Sequence, residues 1–258
     1  MITLICFALK EEAAPFREMA AGAAAAAQAA SILITGIGRK NAEKSVREFL
    51  GGGASVPASR LQDTSTGQAR LVSSLAPPEL VLTCGFAGGL NPDLKLGEVV
   101  FETDSCSRRS RGNETQIKKN LETPHVVSYN LDEKFLAAGA QPAKFFCADR
   151  IATTAAEKKK LRAETGADAV EMESGAIHTI CRERGIPCAT VRVISDTANE
   201  DLPLDFNQLF KSDMSLDYGK LAWAIAKSPG KIGALLKLQK QTRFAAEQLA
   251  DILGKIIW

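Results

Sequence analysis

The chain switches repeatedly from short apolar runs to longer segments with helical periodicity, and this alternation is the feature that most constrains its fold. The first apolar run, residues 1–8, leads into the charged segment K-E-E-A-A-P-F-R-E-M. Further strands are predicted at 31–35, 80–83, 97–102, 143–147, 167–172 and 188–194, and helices near 39–50, 131–138, 154–165 and 173–185. Strands that are apolar throughout are typical of a sheet covered on both faces. The pattern therefore predicts an α/β protein.

The length and the charge of the chain limit its organisation and its partners. With 258 residues, of which 45% are hydrophobic, it can bury a full core, and we expect one domain over residues 1–258. Lys and Arg total 32 against 30 Asp and Glu, so the net charge of +2 is far below the basic field of a nucleic-acid binder. We therefore expect no nucleic-acid partner.

Cysteine and histidine usage favours a cytoplasmic protein without a metal site. The six cysteines form no C-x-x-C pair, and several lie in apolar runs, which is typical of buried reduced thiols. Two histidines are too few for a His-rich metal site. The N-terminus lacks a basic region ahead of a long apolar core, and no apolar run is long enough to span a membrane. We expect no signal peptide, membrane span or bound metal.

Residues 209–258 differ in character and are predicted to form a C-terminal helical extension. Five apolar residues fall at helical spacing on one face of its last turns: Leu249, Ile252, Leu253, Ile256 and Ile257. The segment carries eight basic and four acidic residues, a balance of 8 − 4 = +4. Two interpretations stay open. The helix packs on the domain or on a second subunit, or it lies on a membrane or gates an apolar ligand.

Glycine-bearing turns that follow predicted strands are candidates for binding an oxygen-rich ligand, because glycine lets backbone N–H groups approach closely. The turn T-G-I-G-R-K-N at 35–41 is close to the dinucleotide fingerprint, but Asn41 replaces its last glycine. No acidic residue follows the second strand at the expected distance, so a dinucleotide site is not expected. Gly38 and Arg39 in this turn are candidates for a phosphate or water site.

Acidic residues end two of the predicted strands in the segment 169–196. One strand ends in Glu171, Met172 and Glu173, and the next ends in Ser195 and Asp196. Because open α/β sheets bind ligands beyond the carboxyl ends of their strands, we expect Glu173 and Asp196 to share one crevice. The alternative is that each acidic residue caps a helix.

Five blocks of the sequence resemble the nucleoside phosphorylase and nucleosidase superfamily, especially its methylthioadenosine/S-adenosylhomocysteine nucleosidase branch. They are A-L-K-E-E at 8–12, T-G-I-G at 35–38, C-G-F-A-G-G-L-N-P-D-L-K-L-G-E-V-V at 84–100, A-V-E-M-E-S at 169–174 and R-V-I-S-D at 192–196. The resemblance implies a three-layer α/β/α phosphorylase-like fold with a mixed, mostly parallel central sheet, in a homo-oligomer. The tail pattern S-P-G-K-I-G-A-L-L-K-L also resembles the hopanoid-associated phosphorylase branch, which releases adenine from adenosylhopane.

The resemblance further implies cleavage of the N-glycosidic bond of a purine nucleoside through an oxocarbenium-like state, without a metal or an organic cofactor. Asp196 would protonate the leaving purine, which requires that it hold a proton near neutral pH, and Ser195 would orient it. Glu173 would accept the ribose hydroxyls, with Met172 as an apolar floor and Glu171 as a further substrate-site residue.

Glu12 matches the position that activates a water molecule in the nucleosidases, and its alternative is a solvated residue in the first turn of a helix. An ionised carboxylate there would repel phosphate, which favours hydrolysis. Phosphate stays an alternative co-substrate, because Arg39, Arg108, Arg109 and Arg111 are candidates to approach an anion. A phosphorylase for a hydrophobic adenosyl-hopanoid substrate and a nucleoside-binding protein without turnover also stay open.

Two positions depart from the nucleosidase pattern. Phe86 stands where the nucleosidases have Ser, and Ala87 and Gly88 complete that substrate-binding turn. Arg150, followed by Ile151, stands where they stack an aromatic ring on adenine. A guanidinium group also stacks on a base, so purine binding is still expected.

Overall fold

A computed structural model of the protein describes residues 2–22, 30–51, 78–103, 125–211, 214, 217–227 and 229–258. Its strands are β1 (Thr3–Phe7), β2 (Ala30–Ile34), β3 (Leu80–Gly89), β4 (Val99–Thr103), β5 (Gln141–Pro142), β6 (Phe145–Cys147), β7 (Ala169–Glu171) and β8 (Cys188–Asp196). Its α-helices are α1 (Lys10–Ala21), α2 (Arg39–Leu50), α3 (His125–Ala138), α4 (Ala155–Thr165), α5 (Ser174–Glu183), α6 (Tyr218–Lys227) and α7 (Ile232–Ile257). Strands and helices alternate along most of the chain, as predicted.

The strands form a mixed sheet that is mostly parallel. Its main order is β2-β1-β3-β8-β4-β5, while β7 pairs with β3 and with β6. The pairs β1–β2, β1–β3, β3–β8, β4–β5 and β6–β7 are parallel. The pairs β4–β8 and β3–β7 are antiparallel. The predicted sheet type is therefore confirmed.

Helices cover both faces of this sheet. On one face, Phe16 of α1, Phe135 of α3 and Leu249 of α7 belong to one buried cluster with the side chains of β1, β3 and β8. On the other face, Val46 of α2 and Ile177 of α5 pack in a second cluster. Apolar strand runs thus lie between two helical layers, which confirms the three-layer α/β/α fold.

The end of α7 packs on the rest of the protein. Leu249, Ile252 and Leu253 are buried, and the ring of Trp258 stacks on Phe16 of α1 with 5.4 Å between centroids. The last turns therefore cover the sheet, as the first interpretation of this segment states. Trp223 of α6 and Leu236 of α7 instead remain 62% and 54% exposed. No helix among the described residues has the length and apolar character needed to cross a membrane.

The described cysteines behave as the sequence predicts. Cys6, Cys84, Cys181 and Cys188 are buried outside any disulfide within the described ranges, and Cys147 is half-buried. Burial raises the pKa of Cys84 and of Cys147 to about 12, so both thiols are protonated at neutral pH. Cys106 lies outside the described residues.

Candidate active site

The site is organised along the last residues of β3. Strands β3 and β8 are parallel neighbours, so their carboxyl ends meet at one edge of the sheet. In this pairing Gly85 lies opposite Arg192 and Gly88 lies opposite Asp196, with a register shift between Ala87 and Gly88. Because a strand rises about 3.3 Å per residue, the strip from Gly85 to Gly88, called the 85–88 strip below, is about 10 Å long.

Glu12 lies at one end of the 85–88 strip and is buried. It occupies the first turn of α1, where its Oε2 atom accepts the backbone N–H of Leu9 at 2.9 Å. Its Oε1 atom accepts the N–H of Phe86 at 3.0 Å. Burial raises the pKa of Glu12, although these N–H groups and the charge of Arg192 oppose the rise. The alternative of a solvated residue is therefore wrong, since Glu12 joins α1 to β3.

Gly85 permits this approach of Glu12 to the strand. Its φ of +147° lies in a region that glycine adopts readily, and a Cβ atom there would lie 2.8 Å from Glu12 Oε1. A side chain at this position would displace the carboxylate. The first glycine of the turn at 83–90 is thus required by the position of Glu12.

Glu171 is held by donors from within the protein. Its Oε2 atom accepts from Arg192 Nη2 at 2.7 Å and from the backbone N–H groups of Glu173 and Ser174 at 3.0 and 2.8 Å. Its Oε1 atom accepts the Ser174 hydroxyl at 2.5 Å. Burial opposes ionisation, but the charge of Arg192 and these hydrogen bonds hold the pKa of Glu171 below its usual range. Glu171 therefore supports the start of α5 and positions Arg192.

Glu173 is also buried, and it lies between the turn at 35–41 and Arg192. Its Oε1 atom accepts the N–H of Gly38 at 2.8 Å, and its Oε2 atom lies 3.4 Å from Arg192 Nη2. Burial raises the pKa of Glu173 to about 7 against the opposing charge of Arg192, and the nearby charge of Glu171 adds to the rise. Glu173 can therefore gain or lose a proton near neutral pH.

Asp196 lies at the other end of the 85–88 strip. A Cβ atom on Gly88 would lie 3.3 Å from its Oδ2 atom. The Ser195 hydroxyl is 2.8 Å from Asp196 Oδ1 and 3.3 Å from the carbonyl oxygen of Ala87. Lys158 of α4 is fully buried, and its Nζ atom is 2.5 Å from Asp196 Oδ2. The contact between Ser195 and Asp196 that the sequence predicts is present.

The three predicted carboxylates thus meet at one edge of the sheet. Glu12 and Asp196 occupy opposite ends of the 85–88 strip, and Glu173 lies beside it through its contact with Arg192. A ligand along the strip has an acidic group at each end and a third at its side. Cleavage of a glycosidic bond uses acid–base groups on opposite sides of the sugar, and Glu12 and Asp196 lie at opposite ends of the strip.

The predicted base-stacking pair lies in a different environment from the carboxylates. The side chain of Arg150 is 66% exposed and forms an ion pair with Glu157 of α4. Ile151 is half-buried, and its backbone N–H and C=O groups both bond to the Asn207 side chain at 2.9 Å. In this conformation the guanidinium of Arg150 is held by Glu157, and its stacking on a purine stays a prediction.

The remaining substrate-site candidates are mostly buried in the fold. Ala87 and Met172 are buried, and the ring of Phe86 packs partly buried against the cluster of α1 and α7. The backbone of Phe86, through its bond to Glu12, contributes to the site directly. Contact of Phe86, Ala87 and Met172 with a nucleoside stays a prediction.

The candidate phosphate or water residues bond to the protein itself. The N–H of Gly38 donates a hydrogen bond to Glu173 Oε1. Arg39 donates to the carbonyl oxygen of Cys147 at 3.3 Å and pairs with Asp149 at 3.5 Å, with about half of its side chain exposed. The other candidate arginines, Arg108, Arg109 and Arg111, lie outside the described residues.

The sequence reasoning missed two buried cations, Arg192 and Lys158. Arg192 interrupts the apolar run C-A-T-V-R-V-I. Because a charge in a buried strand must be paired, this interruption indicates an acidic partner for Arg192. Lys158 is the first of three consecutive lysines. Nothing in that run shows which lysine faces the sheet.

Curated nucleosidases match about half of the chain. An aminodeoxyfutalosine nucleosidase of Campylobacter jejuni is 28% identical over 149 residues, which cover 50% of this chain and 61% of that protein. A 5'-methylthioadenosine/S-adenosylhomocysteine nucleosidase of Mycobacterium bovis is 28% identical over 161 residues, covering 50% of this chain and 63% of that protein. The matches therefore span less than two thirds of either relative.

Solved structures resemble the whole fold. The 5'-methylthioadenosine/S-adenosyl homocysteine nucleosidase of Campylobacter jejuni superposes with a TM-score of 0.58 at 17% identity, covering 99% of this chain and 98% of that one. The futalosine hydrolase of Helicobacter pylori gives a TM-score of 0.58 at 17% identity, covering 100% and 97%. The family model described as the phosphorylase superfamily matches residues 22–227. The chain is thus a member of the phosphorylase superfamily.

Proposed function

We propose that this protein hydrolyses the N-glycosidic bond of an adenosine-type purine nucleoside and releases the free base. The observation that carries the proposal is the meeting of Glu12, Glu173 and Asp196 along the 85–88 strip. The names of the two curated relatives, both nucleosidases, support the same reaction class.

Glu12 and Asp196 take the two acid–base roles in this proposal. Glu12 accepts a proton from the attacking water on one side of the sugar. Asp196 supplies a proton to the leaving purine on the other side, and the Ser195 hydroxyl fixes its orientation. Glu12 and Asp196 contact opposite ends of the 85–88 strip, whose backbone is about 10 Å long, and the sugar and the base would lie between them.

Glu173 and Arg192 form the sugar-binding side of the proposed site. Glu173 accepts the ribose hydroxyls, and these contacts strengthen as positive charge develops on the sugar. The Nε atom of Arg192 is buried and lacks a hydrogen-bond partner among the described residues. A buried N–H without a partner costs free energy, so an oxygen atom of water or of the sugar is the ligand that it fits. No metal or organic cofactor takes part in this scheme.

The test is release of free base from a panel of nucleosides. The purified protein is incubated with adenosine, methylthioadenosine and inosine, each with and without phosphate, and free base is measured. Hydrolysis predicts turnover of an adenosine-type substrate in phosphate-free buffer. The variant Asp196→Asn should lose at least about 100-fold of this activity, since general acid catalysis commonly contributes this much. Release that depends strictly on phosphate would contradict hydrolysis.

A second candidate is phosphorolysis of an apolar adenosyl-hopanoid nucleoside. The exposed apolar side chains of α6 and α7 favour it, because Trp223, Ile232 and Leu236 offer a surface for an apolar substituent. This alternative predicts adenine release from adenosylhopane only when phosphate is present. A protein that binds nucleosides without turnover is a third candidate. It would retain binding while releasing no base under any of these conditions.

The proposed setting is a cytoplasmic homo-oligomer. The buried thiols of Cys6, Cys84 and Cys181 support a reducing compartment, and the exposed apolar side chains of α6 and α7 suit an interface between copies. Contact of these two helices with a membrane is the competing proposal, since they combine Trp223 with several lysines. Sedimentation of the protein with and without anionic vesicles tests assembly and membrane contact together.

A further inference from the structure

Lys158 is a buried lysine whose ammonium group is fully engaged. It lies on α4, and no part of its side chain is exposed. Its Nζ atom contacts Asp196 Oδ2 at 2.5 Å and donates to the backbone carbonyl oxygens of Thr197 and Glu200 at 2.8 and 2.9 Å. An ammonium group has three protons, and three acceptors surround this one. The charged form of Lys158 is therefore the form that the structure satisfies.

Asp196 receives a donor on each carboxylate oxygen. Lys158 contacts Oδ2, and the Ser195 hydroxyl is 2.8 Å from Oδ1. Two donors from different parts of the chain thus hold the carboxylate in one orientation. The position of Asp196 therefore depends on a residue that lies outside the sequence blocks from which the site was predicted.

The other charged groups near this pair are engaged elsewhere. The Glu200 carboxylate pairs with Lys237 of α7 at 3.0 Å. On β8 itself, Arg192 contacts two glutamates, and β3 faces Asp196 with Gly88, which carries no charge. Lys158 is therefore the cation that compensates Asp196 within the described part of the chain.

We propose that Lys158 is a positioning residue of this site, which pairs with Asp196 and fixes its carboxylate at the Gly88 end of the strip. The catalytic consequence rests on the proposed function, whereas the ion pair itself is testable through stability.

The first experiment measures thermal unfolding of Lys158→Met and of the natural protein at pH 8 and pH 5. Without Lys158, Asp196 is a buried unpaired carboxylate at pH 8, and it can relieve this by taking up a proton as the pH falls. The loss in Tm caused by the substitution should therefore be about half or less at pH 5 of its value at pH 8. In an Asp196→Asn background the loss should not change with pH. Lys160→Met, an exposed lysine of α4, is the matched control.

The second experiment measures the pH profile of base release for the same variants. When the rate depends on two ionisations, the pH of maximal rate lies midway between the two apparent pKa values. Because removal of an adjacent opposite charge shifts an ionisation by about 1–3 units, Lys158→Met should move the optimum upward by about 0.5–1.5 pH units. Lys158→Arg, which keeps the charge, should retain the natural optimum.

The outcomes separate this proposal from the proposed function. An equal loss of Tm at both pH values, or a lower rate with an unchanged optimum, would mean that Lys158 only fills space and would overturn the proposal. If the natural protein releases no base from any nucleoside, the proposed function fails. The stability experiment then still decides whether Lys158 pairs with the Asp196 carboxylate.

Discussion

Arg192 shows how much of the site depends on single buried charges. Its guanidinium contacts Glu171 at 2.7 Å and Glu173 at 3.4 Å, and its side chain is almost fully buried. The net contribution of such a cluster to stability can be small, because desolvation of the charges opposes their attraction. Removal of one member is different, since it leaves the others buried without compensation.

We therefore expect Arg192→Met to lower the free energy of unfolding by about 3–5 kcal/mol, measured by urea denaturation. Arg47→Met is the control, because Arg47 pairs with Glu183 and Glu43 on the surface with 43% of its side chain exposed. Exposed pairs contribute about 0–1 kcal/mol, so the control should be close to the natural protein. Similar losses of free energy for both variants would show that the buried cluster contributes no more to stability than a surface ion pair.

Gly85 provides a second test at this scale. Gly85→Ala places a Cβ atom 2.8 Å from Glu12 Oε1, so the carboxylate must move and base release should fall at least about tenfold. Gly185→Ala is the matched control, since Gly185 also has a positive φ, of +67°, but no atom within 4 Å of the added Cβ. Both variants carry backbone strain, of about 1–3 kcal/mol, because alanine rarely adopts a positive φ. Only Gly85→Ala should reduce activity, and equal activity of the two would contradict the position of Glu12.

At the scale of elements, the sequence predicts most of the strands and helices and the type of sheet, but not the order in which the strands pair. The run 80–83 was predicted as a strand, whereas β3 continues to Gly89 because β8 and β7 supply hydrogen-bond partners to its glycine-rich end. The alternation of apolar runs and helical segments in the sequence does not show which strands pair. The same limit applies to α4, where the rotation of the helix about its axis, set by packing, decides that Lys158 faces Asp196.

Helix α7 should stabilise the fold mainly through its C-terminal half, where its buried side chains lie. Leu249→Ala removes a fully buried side chain from the cluster shared with α1 and should lower the free energy of unfolding by about 2–5 kcal/mol. Leu236→Ala, on the same helix with 54% of the residue exposed, should change it by no more than about 0.5 kcal/mol. A large loss for Leu236→Ala would indicate that this face is covered in solution, which unfolding at several protein concentrations would reveal.

At the scale of the whole molecule, the acidic site makes stability depend on pH. The pKa of Glu173 is raised from its ordinary value of 4.5 to about 7 in the folded state, so folding favours its protonated form. The contribution of Glu173 to the free energy of unfolding is fully present below pH 4.5 and is lost as the pH rises toward 7. Acids with a lowered pKa, such as Asp168, lose their contribution below this window instead.

We expect the free energy of unfolding to fall by on the order of 2–3 kcal/mol between about pH 4.5 and pH 7 through Glu173. The buried Glu12 adds to the same slope, because its pKa is raised in the same direction. Chemical denaturation across this range should show a shallower slope for Glu173→Gln. Glu164→Gln, on the exposed face of α4, should keep the natural slope. Identical slopes for the two variants would contradict the raised pKa.

The stacking of Trp258 on Phe16 has a consequence for how the protein is made. Helix α1 carries Glu12 and leaves the ribosome well before α7, yet its apolar side is covered by α7. Contacts between such distant parts of a chain form slowly, and a nascent α1 exposes Phe16 until α7 arrives. The packing of α1 at the edge of the sheet that holds Glu12 is therefore completed only after α7 has been synthesised.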